Sequence, residues 1–370
     1  MVIETKFIPG LQLNEMFYQQ AVRSILATHF PVVVHSAALI GYGSDVLGFD
    51  TPISMDHNWG PRLQLFLSPA DHEKYKAEIH ACLRQKLPAT FQGFSVNFSE
   101  PDLSDGGVQC MQAIESGPVN HLVEIFTVRS FFERSLGIDP DQEVQLLDWL
   151  TFPEQALLEV TAGQVYFDGL GELKPVRAKF AYYPTDIWLY RLASQWGRIS
   201  QEEAFMGRCG DLGDELGSRI VAARLERDLM KLGFLLEKQY APYSKWLGTA
   251  FARLNCGPEL TPLFNRVLEG STWTERQKHL SEAYVILAEM QNNLGITHFV
   301  DPKISDYYER PYRVLFAGRF AEATKNALTD EKVKNIKVDI GGVDQFADCV
   351  DLTDNLQLTK KLRIIYEEVD

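Results

Sequence analysis

The chain has 370 residues, 45% of them hydrophobic and 23% charged, an ordinary globular composition that needs no disorder, repeat array or low complexity. Its net charge of −14 argues against a protein that coats phosphate backbones, because neutralising several phosphates takes a basic surface. Five cysteines, with no Cys-x-x-Cys spacing, argue against a disulfide framework and for free thiols in a reducing compartment. No stretch nears the roughly 18 consecutive apolar residues of a membrane span, and the opening residues lack a signal-peptide pattern, so a cytoplasmic location is expected.

Apolar residues at helical spacing over 11–30 (Met16, Phe17, Val22, Ile25, Leu26) predict an amphipathic helix. Pro31 then opens a β-branched run over 32–40, of strand length, which ends in the turn Gly41-Tyr42-Gly43-Ser44. Residues 63–67 read as a second strand. Ser68-Pro69-Ala70-Asp71 starts a helix reaching residue 87, with serine as cap, proline at the first helical position and an acid three after the cap. Short strands are expected over 91–98, 108–114 and 122–128. After Pro153 only 164–169 reads as a strand, and helices are expected over 183–195, 200–206, 211–240, 243–253, 274–294 and 319–328. In the longest of these, Leu216, Ile220, Leu225, Leu229, Leu232 and Leu236 form a core-facing stripe. The pattern is α+β, with an α/β domain over 1–150 and a helical domain over 151–370, and no Gly/Ser-rich linker between them.

The residues with the most chemistry lie between the first two strands. Gly43 would let backbone N–H groups approach a phosphate with no Cβ in the way, and Ser44 adds a hydroxyl. Further on, Asp56 and Asn58 form a polar-x-polar pair. On a strand, side chains two apart share a face, which is how two carboxylates come to hold one Mg²⁺. Glu124 sits in the apolar run His121–Val128, where a charge is costly unless a metal or partner takes it; the plain alternative is the solvent face of an edge strand. In the helical half, Lys245 reads by itself as an exposed helix lysine whose stem covers apolar surface. Arg208, Asp211, Glu215 and Arg219 recur at three- and four-residue steps, enough for one polar stripe if they share a helix. His35 and His57 have no zinc-ligand spacing around them, and Gly41-x-Gly43 lacks the full dinucleotide fingerprint. The tail motif Val343-Asp344-Gln345-Phe346-Ala347-Asp348 suggests no chemistry by itself.

A strand, a Gly-Ser turn, the further Gly48 and an acid-x-polar pair together resemble the signature of the polymerase-β-like nucleotidyltransferases. The strings GYGSDVLGFDTPISMDHNWGPRLQLFLS and DIWLYRLASQWGRISQEEAFMGRCGDLGDELGSRIVAARLERDLMKLGFLLEKQYAPYSKWLGTAFARL, within residues 30–255, resemble a narrower group, the domain-of-unknown-function family DUF4037. The resemblance implies an N-terminal nucleotidyltransferase-like mixed sheet with flanking helices, followed by a C-terminal helical bundle. It also implies transfer of a nucleoside monophosphate from a nucleoside triphosphate such as ATP to a hydroxyl of a small-molecule acceptor, with Mg²⁺ as cofactor. By the same carry-over Gly43, Ser44, Lys245 and Arg208 would bind nucleotide, and Asp56, Asn58 and Glu124 would hold the metal. Asp56, Glu124 and Glu215 would carry catalysis. Asn58 stands where the family pattern has a second acid, and an amide brings no negative charge to a cation. The alternative is therefore a catalytically weakened or inactive nucleotide-binding or interaction protein of the same fold. Neither membrane nor nucleic acid is an expected partner, and the sequence specifies no oligomeric state.

Overall fold

A computed structural model describes residues 6–367. The chain divides into two compact units, 1–143 with 156–181 and 144–155 with 182–370. The sequence placed one division near residue 150; residues 156–181 return to the first unit.

In the first unit α1 (Gly10–Phe17) and α2 (Arg23–His29) are joined by a π turn over Tyr18–Val22. Strand β1 (His35–Leu39) starts later than the apolar run, because Pro31 opens a turn closed by the Val33 N–H on the Phe30 carbonyl at 3.0 Å, which leaves Val32 and Val34 exposed. Strand β2 (Arg62–Leu67) is followed by α3 (Pro69–Lys86), whose cap Ser68 accepts the Asp71 N–H as expected. Strands β3 (Thr90–Phe91) and β4 (Phe94–Ser95) make a minimal hairpin. The strand expected over 108–114 is reduced to isolated bridges, Phe98 with Met111 and Asp102 with Val108, around the Gly106–Gly107 turn. Strand β5 (Leu122–Phe126) runs into α4 (Val128–Leu136), a helix not anticipated, started by a reciprocal cap between Thr127 and Ser130. After α5 (Asp148–Thr151), which belongs to the second unit, α6 (Glu154–Thr161), strand β6 (Gln164–Asp168) and α7 (Leu173–Lys179) complete this part of the chain.

The main sheet has the order β5-β2-β1-β6, with β1 antiparallel to both neighbours and β2 parallel to β5. Every residue of β2 is buried, so its period of two sorts them between two covered faces. Leu63, Leu65 and Leu67 join a core with Phe17, Leu83 and Ile125. On the other register, Phe66 meets Phe131 edge-on at 5.5 Å, and Gln64 lies opposite Glu124. This second set also includes Arg62 and sets up the polar network at the end of the sheet.

Among the described residues, the regular structure of the second unit is helical apart from one hairpin. Helix α8 (Thr185–Glu202) spans the expected 183–195 helix and part of the next, and α9 (Phe205–Asp211) follows. The single helix expected over 211–240 does not form. Gly213 adopts φ +79, a left-handed conformation that L side chains rarely take. Asp214 then caps α10 (Glu215–Leu236) by accepting the Gly217 N–H at 2.8 Å. The anticipated core stripe is rotated in its first two turns. Ser218 and Ala222 are buried there, whereas Leu216 and Ile220 are 72% and 54% exposed. The bundle continues through α11 (Ser244–Phe251), α12 (Gly257–Glu269) and α13 (Trp273–Asn293). An unanticipated hairpin, β7 (Ser305–Tyr307) with β8 (Arg310–Val314), precedes α14 (Gly318–Lys325). Both parts match the α+β class expected from the sequence, a four-stranded mixed sheet in the N-terminal region and a helical C-terminal region.

Candidate functional site

The polar centre of the first unit is built under the Gly43 turn. Arg62, at the start of β2, is 2% exposed and forks onto Asp45, with Nε to Oδ2 at 3.1 Å and Nη2 to Oδ1 at 2.6 Å. The same Nη2 donates to the Tyr42 carbonyl at 2.9 Å, and the guanidinium lies 5.1 Å from the centre of the Tyr42 ring. Burial opposes the charge of Arg62, but the carboxylate beside it outweighs burial and moves its pKa above the ordinary arginine value. A Cβ at Gly43, whose φ is +124, would overlap both Asp45 Oδ1 and Arg62 Nη2. Gly43 is therefore required by the packing of an ion pair beneath it.

Next along the same face, Gln64 donates to Glu124 at 3.2 Å and accepts the Ile40 N–H at 3.1 Å. Glu124 also takes a 2.8 Å ion pair from Arg134 of α4, which stacks over Phe126 at 4.3 Å. The turn at Gly43 and Glu124 are thus brought into one network, with Arg62 and Gln64 as the connecting strand residues. Sequence reading missed Asp45, Arg62 and Arg134. The available signal was the pattern Arg62-Leu63-Gln64-Leu65, in which polar side chains alternate into an otherwise apolar strand.

Asp56 and Asn58 lie elsewhere. Asp56 ends a 3-10 turn, Pro52–Asp56, started by a reciprocal cap between Thr51 and Ser54, so the two-residue strand spacing does not apply. This corrects the expectation that Asp56 and Asn58 share a face of the next strand, since β2 begins only at Arg62. The Asp56 carboxylate is 61% exposed and pairs with His57 Nδ1 at 2.8 Å. Asn58 has φ 48, and both its N–H and its Oδ1 are bonded to the backbone of Gln109, at 2.7 and 3.0 Å. Its side chain serves to fasten two loops together.

A magnesium ion needs several hard oxygens on one side of a cavity. Here Asp56 is turned to His57, Asn58 to Gln109, and Glu124 to Arg134 and Gln64. Among the described residues no group of three His, Cys, Asp or Glu side chains is placed to hold a metal ion. The residues expected to form the centre do not fit the ion in this arrangement.

The remaining candidates belong to the second unit. Lys245 is exposed at the start of α11, its ammonium 5.1 Å from the Trp246 ring centre. Arg208 and Asp211 are on α9 and Glu215 and Arg219 on α10, so the break at Gly213 divides the expected stripe. Glu215 is bound to the buried Arg276 at 2.5 Å, and Asp211 accepts the Tyr312 hydroxyl at 3.1 Å. The tail motif, silent in the sequence, folds back on the bundle. The half-buried Asp344 accepts the Glu154 N–H at 3.0 Å and its carbonyl takes Lys231 Nζ, while Glu154 pairs with Arg191. Burial first, and then the nearby Glu154, push the Asp344 carboxyl up to about 6.

Among the described residues, no helix is long and apolar enough to cross a membrane. No curated protein matches the chain. A solved nucleotidyltransferase-like protein from Exiguobacterium sibiricum is similar over 79% of this chain and 83% of that chain, with 10% identity and a TM-score of 0.31. Residues 149–247, from α5 into α11, match the family described as Domain of unknown function (DUF4037).

Proposed function

We propose that this chain is a binding or interaction protein with a nucleotidyltransferase-like fold, whose sheet end does not operate as a magnesium-dependent transferase centre. One observation carries the reading. Gln64 lies opposite Glu124 on the neighbouring strand, with Arg62 two residues before it on the same face, and the acids of this network, Asp45 and Glu124, are already neutralised by Arg62 and Arg134. A carboxylate held by a guanidinium has its charge compensated and its lone pairs occupied, which removes most of its attraction for a cation. Any nucleotide ligand, small-molecule acceptor or cytoplasmic setting belongs to this proposal as well.

The transferase reading keeps one observation in its favour. The exposed Asp56–His57 pair is a carboxylate–imidazole arrangement of the kind that accepts a hydroxyl proton. The test is pyrophosphate release from each nucleoside triphosphate with Mg²⁺ and a set of hydroxyl-bearing small molecules. The expected result is no release above background, with Asp56→Ala indistinguishable from the parent. Mg²⁺-dependent release that disappears in Asp56→Ala would overturn the proposal and restore the transferase.

A further inference from the structure

The second unit contains a groove of about 430 Å³ that none of the sequence motifs pointed to. Small-molecule sites are typically about 300–1,000 Å³. Arg198 of α8 and Arg224, Arg227 and Asp228 of α10 line one part of it; Gln345 and Phe346 of the tail motif line another.

The arginines in this wall are held loosely. A single Glu202 oxygen serves both Arg198 at 3.2 Å and Arg224 at 2.7 Å. Arg227 meets Asp348 at 3.2 Å through one nitrogen, and Asp348 is 68% exposed. None of these three pairs is a two-pronged fork like that between Arg62 and Asp45, so guanidinium donors remain available to an anion. Arg224 and Arg227 are three apart on one helix, close enough to act on one group.

A second observation also points to a ligand. Asp228 is 7% exposed and lines the groove, yet its Oδ2 has no hydrogen-bond partner. It faces Arg198 Nε at 3.4 Å, and that nitrogen also lacks a hydrogen bond. Buried acceptors are normally satisfied. Phe346, 45% exposed, adds an apolar face to the same groove.

We propose that this groove binds a phosphate monoester of a polyhydroxylated small molecule, with the phosphate on Arg224 and Arg227, a hydroxyl donating to Asp228 Oδ2, and a ring against Phe346. A free sugar phosphate and the ribose phosphate of a nucleotide share this chemistry. A polymer is disfavoured by the net charge of −14. The site stands independently of the sheet-end reading and remains if that reading fails.

The experiment is titration calorimetry of the full chain, without metal, using inorganic phosphate, ribose 5-phosphate and adenosine 5′-monophosphate. Ribose 5-phosphate is expected to bind more tightly than inorganic phosphate. Arg227→Ala should weaken binding about tenfold, as expected for loss of a charged hydrogen bond, and Arg227→Lys should restore part of it. Asp228→Asn should lower affinity for ribose 5-phosphate and leave inorganic phosphate unchanged. Adenosine 5′-monophosphate, which adds a base ring to pack on Phe346, is expected to bind more tightly still, and Phe346→Ala to remove only that gain. Circular dichroism melts confirm that each variant is folded; a misfolded Arg227→Ala passes the test to Phe346→Ala and Asp228→Asn. Equal affinity for inorganic phosphate and ribose 5-phosphate, or binding unchanged in the Arg227 and Asp228 variants, would overturn the proposal. Pyrophosphate release is measured separately, so a transferase result there leaves this outcome untouched.

Discussion

Two buried arginines show how differently the two units treat charge. Arg62 in the first unit places Nε and Nη2 on Asp45 and on the Tyr42 carbonyl. Arg191 in the second unit pairs with Glu154 through one nitrogen and leaves Nε and Nη1 without hydrogen bonds. The contrast extends beyond these residues. Among the described residues, every buried side-chain nitrogen or oxygen without a hydrogen bond, several of them held by an ion pair alone, lies at position 182 or later, in the second unit. A saturated network rigidifies its surroundings and offers a ligand little, whereas an unsaturated one beside a groove retains unmet hydrogen-bonding capacity. This contrast is what supports the two proposals, architecture at the sheet end and ligand binding in the helical unit.

The comparison can be broken most forcefully at Arg62. Arg62→Ala leaves Asp45 buried without its counter-ion and is expected to cost about 3–5 kcal/mol in chemical denaturation. Arg224→Ala, at an exposed single-pronged pair whose acid keeps Arg198, should cost about 1 kcal/mol or less. Equal costs at the two positions would remove the distinction between the units.

A subtler probe is Glu226, which is 5% exposed on α10, with its Oε1 unpartnered. Burial pushes its carboxyl up to about 8. Its unfolded value is about 4.3. Between those values the folded chain holds a proton that the unfolded chain has lost, so stability falls as pH rises through the window, and the loss is complete above the folded value. Glu226→Gln should flatten that decline and raise Tm above pH 8 by about 5 °C in calorimetric scans. A variant with the parent's pH profile would show that Glu226 is already compensated.

The smallest effect is expected at Asp56. Its exposed pair with His57 is of a kind that contributes little, so Asp56→Ala should change stability by less than about 0.5 kcal/mol. A larger loss would mean that the 51–61 loop supports the first unit more than its exposure implies.

The long periodic elements were legible in the sequence. The helix started by Ser68, the strand at Leu63, and the apolar run before Gly41 all formed, because local capping and pattern agreed with the packing that followed. Where pattern and packing disagreed, packing prevailed. Leu216 and Ile220 lay on a plausible stripe, but the face of α10 that meets its neighbours passes through Ser218 and Ala222. Asp56-x-Asn58 had the spacing of a paired site, but that spacing has meaning only on a strand, and the segment is a capped 3-10 turn.

By itself the sequence determined the class: a mixed sheet first, a helical region after it, a Gly-Ser turn between two strands, and a match to one family over residues 149–247. Only the tertiary structure decided that Gly43 covers an Asp45–Arg62 pair, that β6 closes the sheet beside β1, and that the silent tail motif lines a groove with arginines more than a hundred residues away. The reason is physical. Periodicity and capping act over a few residues and can be read locally, whereas charge compensation and cavity shape depend on which distant side chains packing brings within hydrogen-bonding distance.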